Sequence, residues 1–259
     1  MFFEREIFFN ALMPHSRQVV ANVVLHPEID STSTALMGMV AAGAVSGTTV
    51  IAAKQTGGRG RSGNSWYSEH DRNLYISYAI QIVDDIVNRL PLVPLAAGIA
   101  ASEALQTAGI SGVRLKWPND LLLHDRKVGG ILCETPGIED HRAMAVVGMG
   151  INLGAQDFPA ELTGIATFLD PPAHVPHLRE KLAASWINSL NHWCERIQAG
   201  AVSELISRWK QCCESFGRRV RVGEITGYTL DLNDAGRLLL KTDGGEICTI
   251  PGGMVEHID

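Results

Sequence analysis

Residues 116–134 have the sequence KWPNDLLLHDRKVGGILCE, whose pattern indicates an antiparallel β-hairpin. Two apolar runs, Leu121 to Leu123 and Val128 to Glu134, lie on either side of the polar turn His124 to Lys127. Apolar runs joined by a short polar segment are typical of two adjacent strands. Pro118 ends the strand before them, because proline has no N–H to donate to a sheet. We therefore expect antiparallel pairing around this segment.

Helical and strand patterns alternate on both sides of the hairpin. Further strands are predicted at Thr48 to Lys54, Asn73 to Ile80, Val113 to Trp117 and Ala143 to Ile151, and helices at Ala35 to Ala44 (capped by Ser31 or Ser33), Leu92 to Ala108, Leu178 to Ile197 and Val202 to Trp209. This alternation predicts an α+β domain with a mixed, largely antiparallel sheet packed by helices. Trp186, Trp193 and Trp209 recur at helical spacing, so we interpret them as core residues.

The sequence predicts three parts of the chain. Residues 1–28 show no regular helical or strand spacing of apolar residues and are predicted to be a short N-terminal lead-in. Residues 29–216 carry the alternating helices and strands and form the predicted main domain. Residues 217–259 contain short alternating strands and glycine-rich turns, which are typical of a small appended β-barrel.

The composition excludes several classes of function. The chain has 259 residues, a net charge of −6 and a pI of about 5.8, so no general basic field would attract nucleic acid or an anionic membrane. No apolar run approaches the roughly 20 residues that span a bilayer. The N-terminal segment carries Glu4, Arg5 and Glu6 among its aromatic residues, unlike a secretory signal. Five cysteines without a C-x-x-C pair favour a reducing cytoplasm.

A glycine-rich segment at residues 55–66, QTGGRGRSGNSW, is the first candidate functional site. Glycines allow the backbone to approach a ligand closely, and Arg59 and Arg61 can each grip a phosphate or carboxylate with two hydrogen bonds. The pattern lacks the lysine and Ser/Thr of a P-loop and the following helix of a dinucleotide fingerprint. It predicts a mobile loop that orders over an anion. The alternative is a flexible surface loop with solvated arginines.

The second candidate site follows from the hairpin. Pro118 leaves Asn119 and Asp120 at a strand junction, and the hairpin returns Lys127 beside them. Gly129 and Gly130 then allow close backbone approach. The alternative is an ordinary strand end followed by a proline turn, but both clusters together favour a site for an anionic substrate.

The sequence resembles the biotin protein ligases, also called biotin–[acetyl-CoA-carboxylase] ligases, from about Ile29 to the C-terminus. The motifs that carry the resemblance are Asp30-Ser31-Thr32, Gln55 with GGRGRSG-x-x-W, K-W-P-N-D-L, K-x-G-G-I-L and Gly148-Met149-Gly150-Ile151-Asn152. The resemblance implies a class II synthetase-like catalytic domain followed by an SH3-like β-barrel. It also implies a two-step reaction, in which biotin and ATP with Mg²⁺ give biotinyl-5′-AMP, and a lysine of a biotin carboxyl carrier domain then takes the biotinyl group.

Matching positions to the family implies roles for the substrate-binding residues. Ser31, Thr32 and Gln55 match residues that line the biotin pocket. Trp66 matches a residue that packs beside the adenine, and Asn152 one that recognises it. Gly129 and Gly130 are also expected to border the bound substrates.

The same matching implies roles for the charged residues. Gly58, Arg59 and Arg61 match the loop that closes over biotin and the adenylate, and Lys127 matches the lysine that contacts the carboxylate and α-phosphate. Asn119 and Asp120 match residues near the metal and phosphates, and Asp120 is the candidate that orients or deprotonates the incoming lysine. Lys116 is either catalytic or a support for the loop and phosphates.

The chain departs from the family pattern in three places. Ser33 stands where the family usually has asparagine, and Asn64 stands where many members have arginine. Only about 28 residues precede Ile29, whereas members that act as repressors have a winged helix of about sixty residues there; with the acidic charge, we expect no DNA binding. The family includes monomers and dimers, so a homodimer is possible.

Two other functions compete with biotin ligation. A lipoate–protein ligase shares the fold and the adenylation chemistry but has a different glycine-rich signature. A non-catalytic protein that only binds biotin or a carrier domain would not need Arg59, Arg61 and Lys127. The sequence therefore favours the biotin ligase.

Overall fold

The computed structural model describes residues 3–68, 71–139, 141–170 and 175–258. The helices are α1 (Arg5–Ala11), α2 (Pro14–Val19), α3 (Thr32–Ala41), α4 (Ile86–Arg89), α5 (Val93–Thr107), α6 (Leu178–Gln198) and α7 (Val202–Cys212). The strands are β1 (Asn22–Ile29), β2 (Thr48–Gln55), β3 (Leu74–Val83), β4 (Arg114–Lys116), β5 (Asp120–Leu123), β6 (Arg126–Glu134), β7 (Ile138–Glu139), β8 (Arg142–Ile151), β9 (Arg219–Val222), β10 (Ile225–Leu232), β11 (Leu238–Thr242), β12 (Ile247–Ile250) and β13 (Glu256–His257).

The first eight strands form one mixed sheet. Its order is β1-β2-β3-β8-β6-β5-β4, and β7 pairs with β8. Within the described ranges, β1 and β2 are parallel and every other neighbouring pair is antiparallel. The predicted hairpin is confirmed as β5 and β6, and the α+β class with a largely antiparallel sheet is confirmed as well. The register places Lys116 opposite Asp120 and Gly130 opposite Gly150.

Helices cover both faces of this sheet. Successive residues of a strand point to opposite faces, and Val50 and Ile51 accordingly belong to different apolar clusters. Val50 packs with Leu36 of α3, whereas Ile51 belongs to the larger core that includes α5, α6 and α7. The sheet is therefore the middle layer, and α3 covers the face opposite the main helical layer.

The tryptophans of α6 and α7 are core residues, as predicted. Trp186 and Trp209 have no exposed surface, and Trp186 Nε1 donates to the carbonyl of Ala97 at 3.1 Å. A Cβ at Gly98 would lie 2.8 Å from the Trp209 ring, so glycine is what allows α5 and α7 to pack this closely. Truncating a buried tryptophan of this kind would cost about 3–5 kcal/mol of stability.

The N-terminal segment, predicted as a short lead-in over residues 1–28, contains regular secondary structure. It contributes α1, α2 and the edge strand β1, and both Phe8 and Val23 are buried in the main core. β1 pairs in parallel with β2, so the sheet begins before residue 29. The expected boundary there does not separate two structural units.

The C-terminal strands form a second, antiparallel sheet of five strands in the order β12-β11-β10-β9-β13, where the sequence predicts a small barrel. This sheet packs beside the start of the hairpin. Trp117 Nε1 donates to the carbonyl of Gly236 at 2.9 Å, and the Trp117 N–H donates to Ser215 Oγ at 3.1 Å. The K-W-P-N-D corner is thereby fixed against the second sheet. In the part of the chain that is described, no helix combines the length and apolarity that crossing a membrane requires.

Candidate active site

A cavity that is open to solvent lies on the large sheet between the glycine-rich loop and the hairpin. Eleven of the predicted site residues line it, namely Ser31, Thr32, Gln55, Arg59, Arg61, Trp66, Lys116, Asn119, Asp120, Lys127 and Gly130. Four of these side chains are cationic, and Asp120 is the one carboxylate among the described lining residues. The cavity is thus basic in a chain whose net charge is −6. Such a local excess favours an anionic ligand.

The polar floor of the cavity is built at the start of α3. Ser31 is the N-cap residue, and its Oγ accepts a hydrogen bond from the Thr34 N–H at 3.3 Å. Thr32 donates from its N–H and its hydroxyl to Gln55 Oε1, at 2.8 and 3.1 Å. All of these contacts are buried or half-buried, which fixes the amide of Gln55 at the end of β2.

A chain of hydrogen bonds extends this floor in both directions. Ser77 Oγ donates to Thr32 Oγ1 at 2.9 Å and lies 3.0 Å from Ser33 Oγ. Gln55 Nε2 donates to Ser68 Oγ at 3.1 Å, and Ser68 Oγ donates in turn to the carbonyl of Trp66. Ser33, which departs from the family pattern, is therefore a satisfied buried hydroxyl. The floor is linked through Ser68 to the base of the loop.

The glycine-rich loop is folded as a narrow hairpin. The Trp66 N–H donates to the Gly58 carbonyl at 2.9 Å, and the Gly60 N–H donates to the Asn64 carbonyl at 2.7 Å. A Cβ on Gly58 would lie 2.5 Å from Ser68 Oγ and 2.6 Å from the Trp66 carbonyl, so the base of the loop closes only with glycine there. Asn64, which stands where many members of the family have arginine, accepts the Gly60 hydrogen bond through its backbone carbonyl. Its side chain is exposed.

The two loop arginines point to different partners. Arg59 pairs with Glu134 at the end of β6 and donates to Thr34 Oγ1 at 3.3 Å. Arg61 Nη1 donates to Asn119 Oδ1 at 3.4 Å. Arg61 thus joins the K-W-P-N-D corner, whereas the guanidinium of Arg59 faces Glu134, a residue that was not predicted for the site.

Asn119 is held in place from the opposite side. Its Nδ2 donates to the carbonyl of Ile131 at 2.6 Å, and the Ile131 N–H donates back to the Asn119 carbonyl at 2.9 Å. The side chain therefore presents Oδ1 toward Arg61 in a fixed orientation.

Lys127 and Asp120 meet across the hairpin, as expected. Lys127 Nζ lies 2.6 Å from Asp120 Oδ1 and 5.4 Å from the centre of the Trp66 ring. An ammonium group at this distance from an indole face is attracted to it. The lysine is therefore oriented by a carboxylate on one side and an aromatic ring on the other.

The indole of Trp66 packs against two glycines of neighbouring strands. A Cβ on Gly150 would lie 2.7 Å from the indole, and one on Gly130 would lie 3.3 Å from it. Trp66 Nε1 is buried and has no hydrogen-bond partner among the described residues. The ring occupies a bay that exists only because both positions lack side chains.

Lys116 lies at the end of β4 beside this charge cluster. Burial lowers the pKa of its amine, and the positive charge of Lys127 lowers it further, whereas Asp120 and Glu256 oppose the shift. A lysine of lowered pKa carries less of the protonated form than a solvated one.

Three predicted residues are not among those that line the cavity. Gly58 shapes the loop base, and a Cβ on Gly129 would lie 2.9 Å from the Gly150 carbonyl, so that glycine serves strand packing. Asn152 is buried, and its Nδ2 donates to the Thr167 carbonyl at 3.0 Å, while its Oδ1 has no partner in the described ranges. The Asn152 amide thus has one buried acceptor that the described residues leave unpaired.

The sequence did not identify one wall of the cavity. Gly253, Met254 and Val255, which follow β12, line it together with Tyr75 of β3. Met254 is 64% exposed. The sequence signal for this wall is the glycine pair at residues 252–253, which allows the backbone to approach a ligand closely. The pair belongs to none of the motifs described above.

Comparison with known proteins shows which family this chain is similar to. The model of the biotin/lipoate A/B protein ligase family matches residues 25–152. The bifunctional ligase/repressor BirA of Salmonella typhimurium is 34% identical over 234 residues, which cover 89% of this chain and 72% of that protein. The biotin–[acetyl-CoA-carboxylase] ligase of Mycobacterium tuberculosis is 31% identical over 239 residues, covering 88% of this chain and 86% of that protein.

The fold is also similar to that of solved ligases. The biotin protein ligase from Aquifex aeolicus, solved in complex with biotin and ATP, matches with a TM-score of 0.74 at 27% identity, covering 92% of this chain and 99% of that one. Similarity of sequence and of fold thus extends over most of the chain, well beyond the glycine-rich loop. The chain belongs to the biotin protein ligase family.

Proposed function

We propose that this protein activates biotin with ATP, forming biotinyl-5′-AMP and pyrophosphate, and transfers the biotinyl group to a lysine of a biotin carboxyl carrier domain. The observation that carries the proposal is the single cavity in which the polar floor of Thr32 and Gln55 meets four cationic side chains. The similar enzymes are named for ligation of biotin to protein or to acetyl-CoA carboxylase, and one of them was solved with biotin and ATP.

The charges of the cavity suit the first step. A carboxylate must approach a polyanion, so cations have to neutralise both and stabilise the charge that develops on the phosphate oxygens. Lys127 and Arg61 face the space between the loop and the hairpin, each held by a partner on the hairpin. Such preorganised cations lose little entropy when the substrates bind.

The polar floor suits the ring of biotin. A ureido group both donates and accepts hydrogen bonds, and Ser31, Thr32 and Gln55 offer hydroxyl and amide groups of both kinds. Burial of these groups raises the cost of leaving them unpaired, and that cost discriminates against ligands without matching polar atoms.

Mg²⁺ is proposed to arrive with the nucleotide. This ion takes one or two carboxylates, several waters and substrate phosphates. Asp120 is the one carboxylate among the described lining residues, and the described chain contains no cluster of three or more His, Cys, Asp or Glu. The donor set fits an ion held mainly by ATP with Asp120 as its protein ligand. When bound, the ion would neutralise phosphate charge.

Asp120 is also proposed to act in the second step. The amine of the carrier lysine attacks the mixed anhydride only when it is neutral, so its proton must pass to an acceptor. Asp120 lies at the cavity, where its carboxylate can accept a hydrogen bond from the incoming amine. Lys127, 2.6 Å away, keeps this carboxylate oriented before the carrier arrives.

The test is biotin-dependent exchange of labelled pyrophosphate into ATP, repeated with lipoate, followed by transfer to a carrier domain. Exchange with biotin and labelling of one carrier lysine is the expected result. Absence of exchange with biotin would overturn the proposal, and exchange with lipoate alone would assign the chain to the lipoate ligases. A cytoplasmic location and the absence of DNA binding belong to the same proposal, while a homodimer is tested by light scattering.

A further inference from the structure

We infer that Glu134 is a positioning residue that holds the glycine-rich loop closed by pairing with Arg59. In the proposed reaction, this pair would set how long the loop stays over its ligand. Neither the loop motif nor the hairpin motif assigns Glu134 a role, because it lies seven residues after Lys127, at the far end of β6.

The contact joins three elements of the fold. Arg59 Nη2 donates to Glu134 Oε1, and Arg59 Nη1 donates to Thr34 Oγ1 at 3.3 Å. The loop is thereby tied at once to β6 and to the first turn of α3. We name Arg59, Glu134 and Thr34 the loop latch.

Glu134 is the rigid part of the latch. It is the last residue of β6, opposite Val146, and β6 is paired with β8 from Gly129 to Glu134. Loops open and close, whereas a central strand of a sheet does not. The carboxylate therefore marks a fixed position to which the mobile loop returns.

The carboxylate of Glu134 depends on Arg59. Glu134 Oε2 is buried and has no hydrogen-bond partner in the described ranges, so the ion pair is what offsets its desolvation. Opening the loop would leave this carboxylate without its cationic partner among the described residues, on a side chain that is only 26% exposed. Because the Glu134 carboxylate is paired only when the loop is closed, the closed loop is favoured.

The strength of the latch suits a loop that must open in each cycle. The Arg59 side chain is 43% exposed, and pairs of this kind are weak and screened by salt. A pair of that class would shift the closed-to-open ratio by about fivefold at most. The latch would bias the loop without locking it.

The first test uses trypsin on the ligand-free protein, which cleaves after Arg59 or Arg61 only when the loop opens. The Glu134→Gln variant keeps the shape of the side chain and removes its charge. We expect cleavage in the loop to become about three- to fivefold faster, with the midpoint of thermal unfolding unchanged. The control is Glu204→Gln, which removes the partner of Arg196 in an ion pair between α6 and α7.

Two further arms make the result specific to an ion pair. Thr34→Val removes the second contact of Arg59 and should speed cleavage by about twofold. Raising the salt concentration should bring the wild-type rate toward that of Glu134→Gln and leave the variant's rate nearly constant. Equal cleavage of wild type and Glu134→Gln at low salt would overturn the latch.

The second test measures release of the adenylate from the full-length protein. Glu134→Gln should release it about three- to fivefold faster, and Arg59→Gln combined with Glu134→Gln should add nothing to Arg59→Gln alone. Additive effects would overturn the inference. If no adenylate forms in the wild type, the proposed function fails, whereas the trypsin experiment still decides the latch.

Discussion

Lys127 Nζ lies 2.6 Å from Asp120 Oδ1, so the central cation of the cavity is paired with its one described carboxylate. The two residues stand on adjacent strands, β6 and β5. The register pairs Asp120 with Gly130 and Lys127 with Leu122, so the long Lys127 side chain reaches along the hairpin to Asp120. Lys127 is 32% and Asp120 25% exposed, which leaves both accessible to a ligand. In the proposed reaction, this pair holds the Lys127 ammonium ready for a phosphate and the Asp120 carboxylate ready for an incoming amine.

Replacing Lys127 with alanine should abolish most of the adenylation activity. The variant loses the positive charge closest to Asp120 and leaves that carboxylate to repel an anionic substrate. We expect biotin-dependent pyrophosphate exchange to fall by about 10²- to 10³-fold. Circular dichroism and thermal unfolding should show an intact fold, because the side chain is partly exposed. Lys241→Ala, on the second sheet, is the control. Near-normal exchange in Lys127→Ala would mean that another cation acts at this position.

Replacing Arg61 with glycine should shorten the lifetime of the bound adenylate. The variant loses the hydrogen bond from Arg61 Nη1 to Asn119 Oδ1, which ties the loop to the hairpin. One hydrogen bond to a charged group is worth about 1.5 kcal/mol, so release should be on the order of tenfold faster. Asn119→Ala should act in the same direction, and the double variant should exceed neither by much. Unchanged dissociation of labelled adenylate from Arg61→Gly would contradict the closing loop.

Adding one methyl group at Gly150 should displace Trp66. The new Cβ would lie 2.7 Å from the indole, a distance that forces the ring to move. Such overpacking costs about 1–3 kcal/mol, measurable by urea unfolding. Tryptophan fluorescence should shift to longer wavelength as the ring enters water, and the KM for ATP should rise if the ring borders the nucleotide. Gly137→Ala is the matched control, since a Cβ there meets nothing within 4 Å. Equal behaviour of the two variants would show that the Trp66 bay is not tight.

Restoring the asparagine of the family pattern at Ser33 should harm this protein. Ser33 is 6% exposed, and its Oγ lies 3.0 Å from Ser77 Oγ. A Cβ on Gly148 would lie only 2.5 Å from Ser33 Oγ, so the space around this hydroxyl is tight. The site is sized for serine, so Ser33→Asn should lower the free energy of unfolding by about 1–3 kcal/mol and weaken biotin binding. Ser33→Ala, which only leaves Ser77 with one partner fewer, should cost about 1 kcal/mol. A Ser33→Asn protein as stable as the wild type would show that the pocket has room for the amide.

The local motifs of this chain could be predicted because each rests on short-range chemistry. Ser31 caps α3 as expected for a serine before an apolar helix, and the hairpin of β5 and β6 follows from two apolar runs around a polar turn. The pairing of Lys127 with Asp120 then follows from the hairpin itself. In each case, the residues that decide the structure lie within about ten positions of one another.

The parts that were missed depend on contacts distant in sequence. β1 is a half-exposed edge strand that contains Pro27, so its residues show no regular alternation of apolar and polar side chains. Its parallel pairing with β2 depends on contacts within the sheet and not on its own sequence pattern. The contact of Arg59 with Glu134 spans 75 positions, and Met254 reaches the cavity through the second sheet. No local pattern contains this information.

The lowered pKa of Lys116 predicts how stability depends on pH. Burial lowers the pKa of this amine below its ordinary value of 10.5, which the unfolded chain retains. At pH values between the lowered pKa of the folded state and the ordinary pKa of the unfolded state, the unfolded chain binds more protons than the folded protein. The contribution of Lys116 to the free energy of unfolding therefore rises with pH in that window. Below the folded pKa the amine is charged in both states, and the full cost of burying the charge remains.

The Lys116→Met variant isolates this contribution, because methionine has a similar length and no charge. Urea unfolding of both proteins from about pH 8 to about pH 10 should show the stability of the wild type rising relative to the variant. All other titrating groups are common to the two proteins and cancel in the difference. Parallel curves across the window would mean that the amine is solvated and titrates normally. A difference that falls with pH would mean that Asp120 and Glu256 outweigh burial and hold the lysine charged.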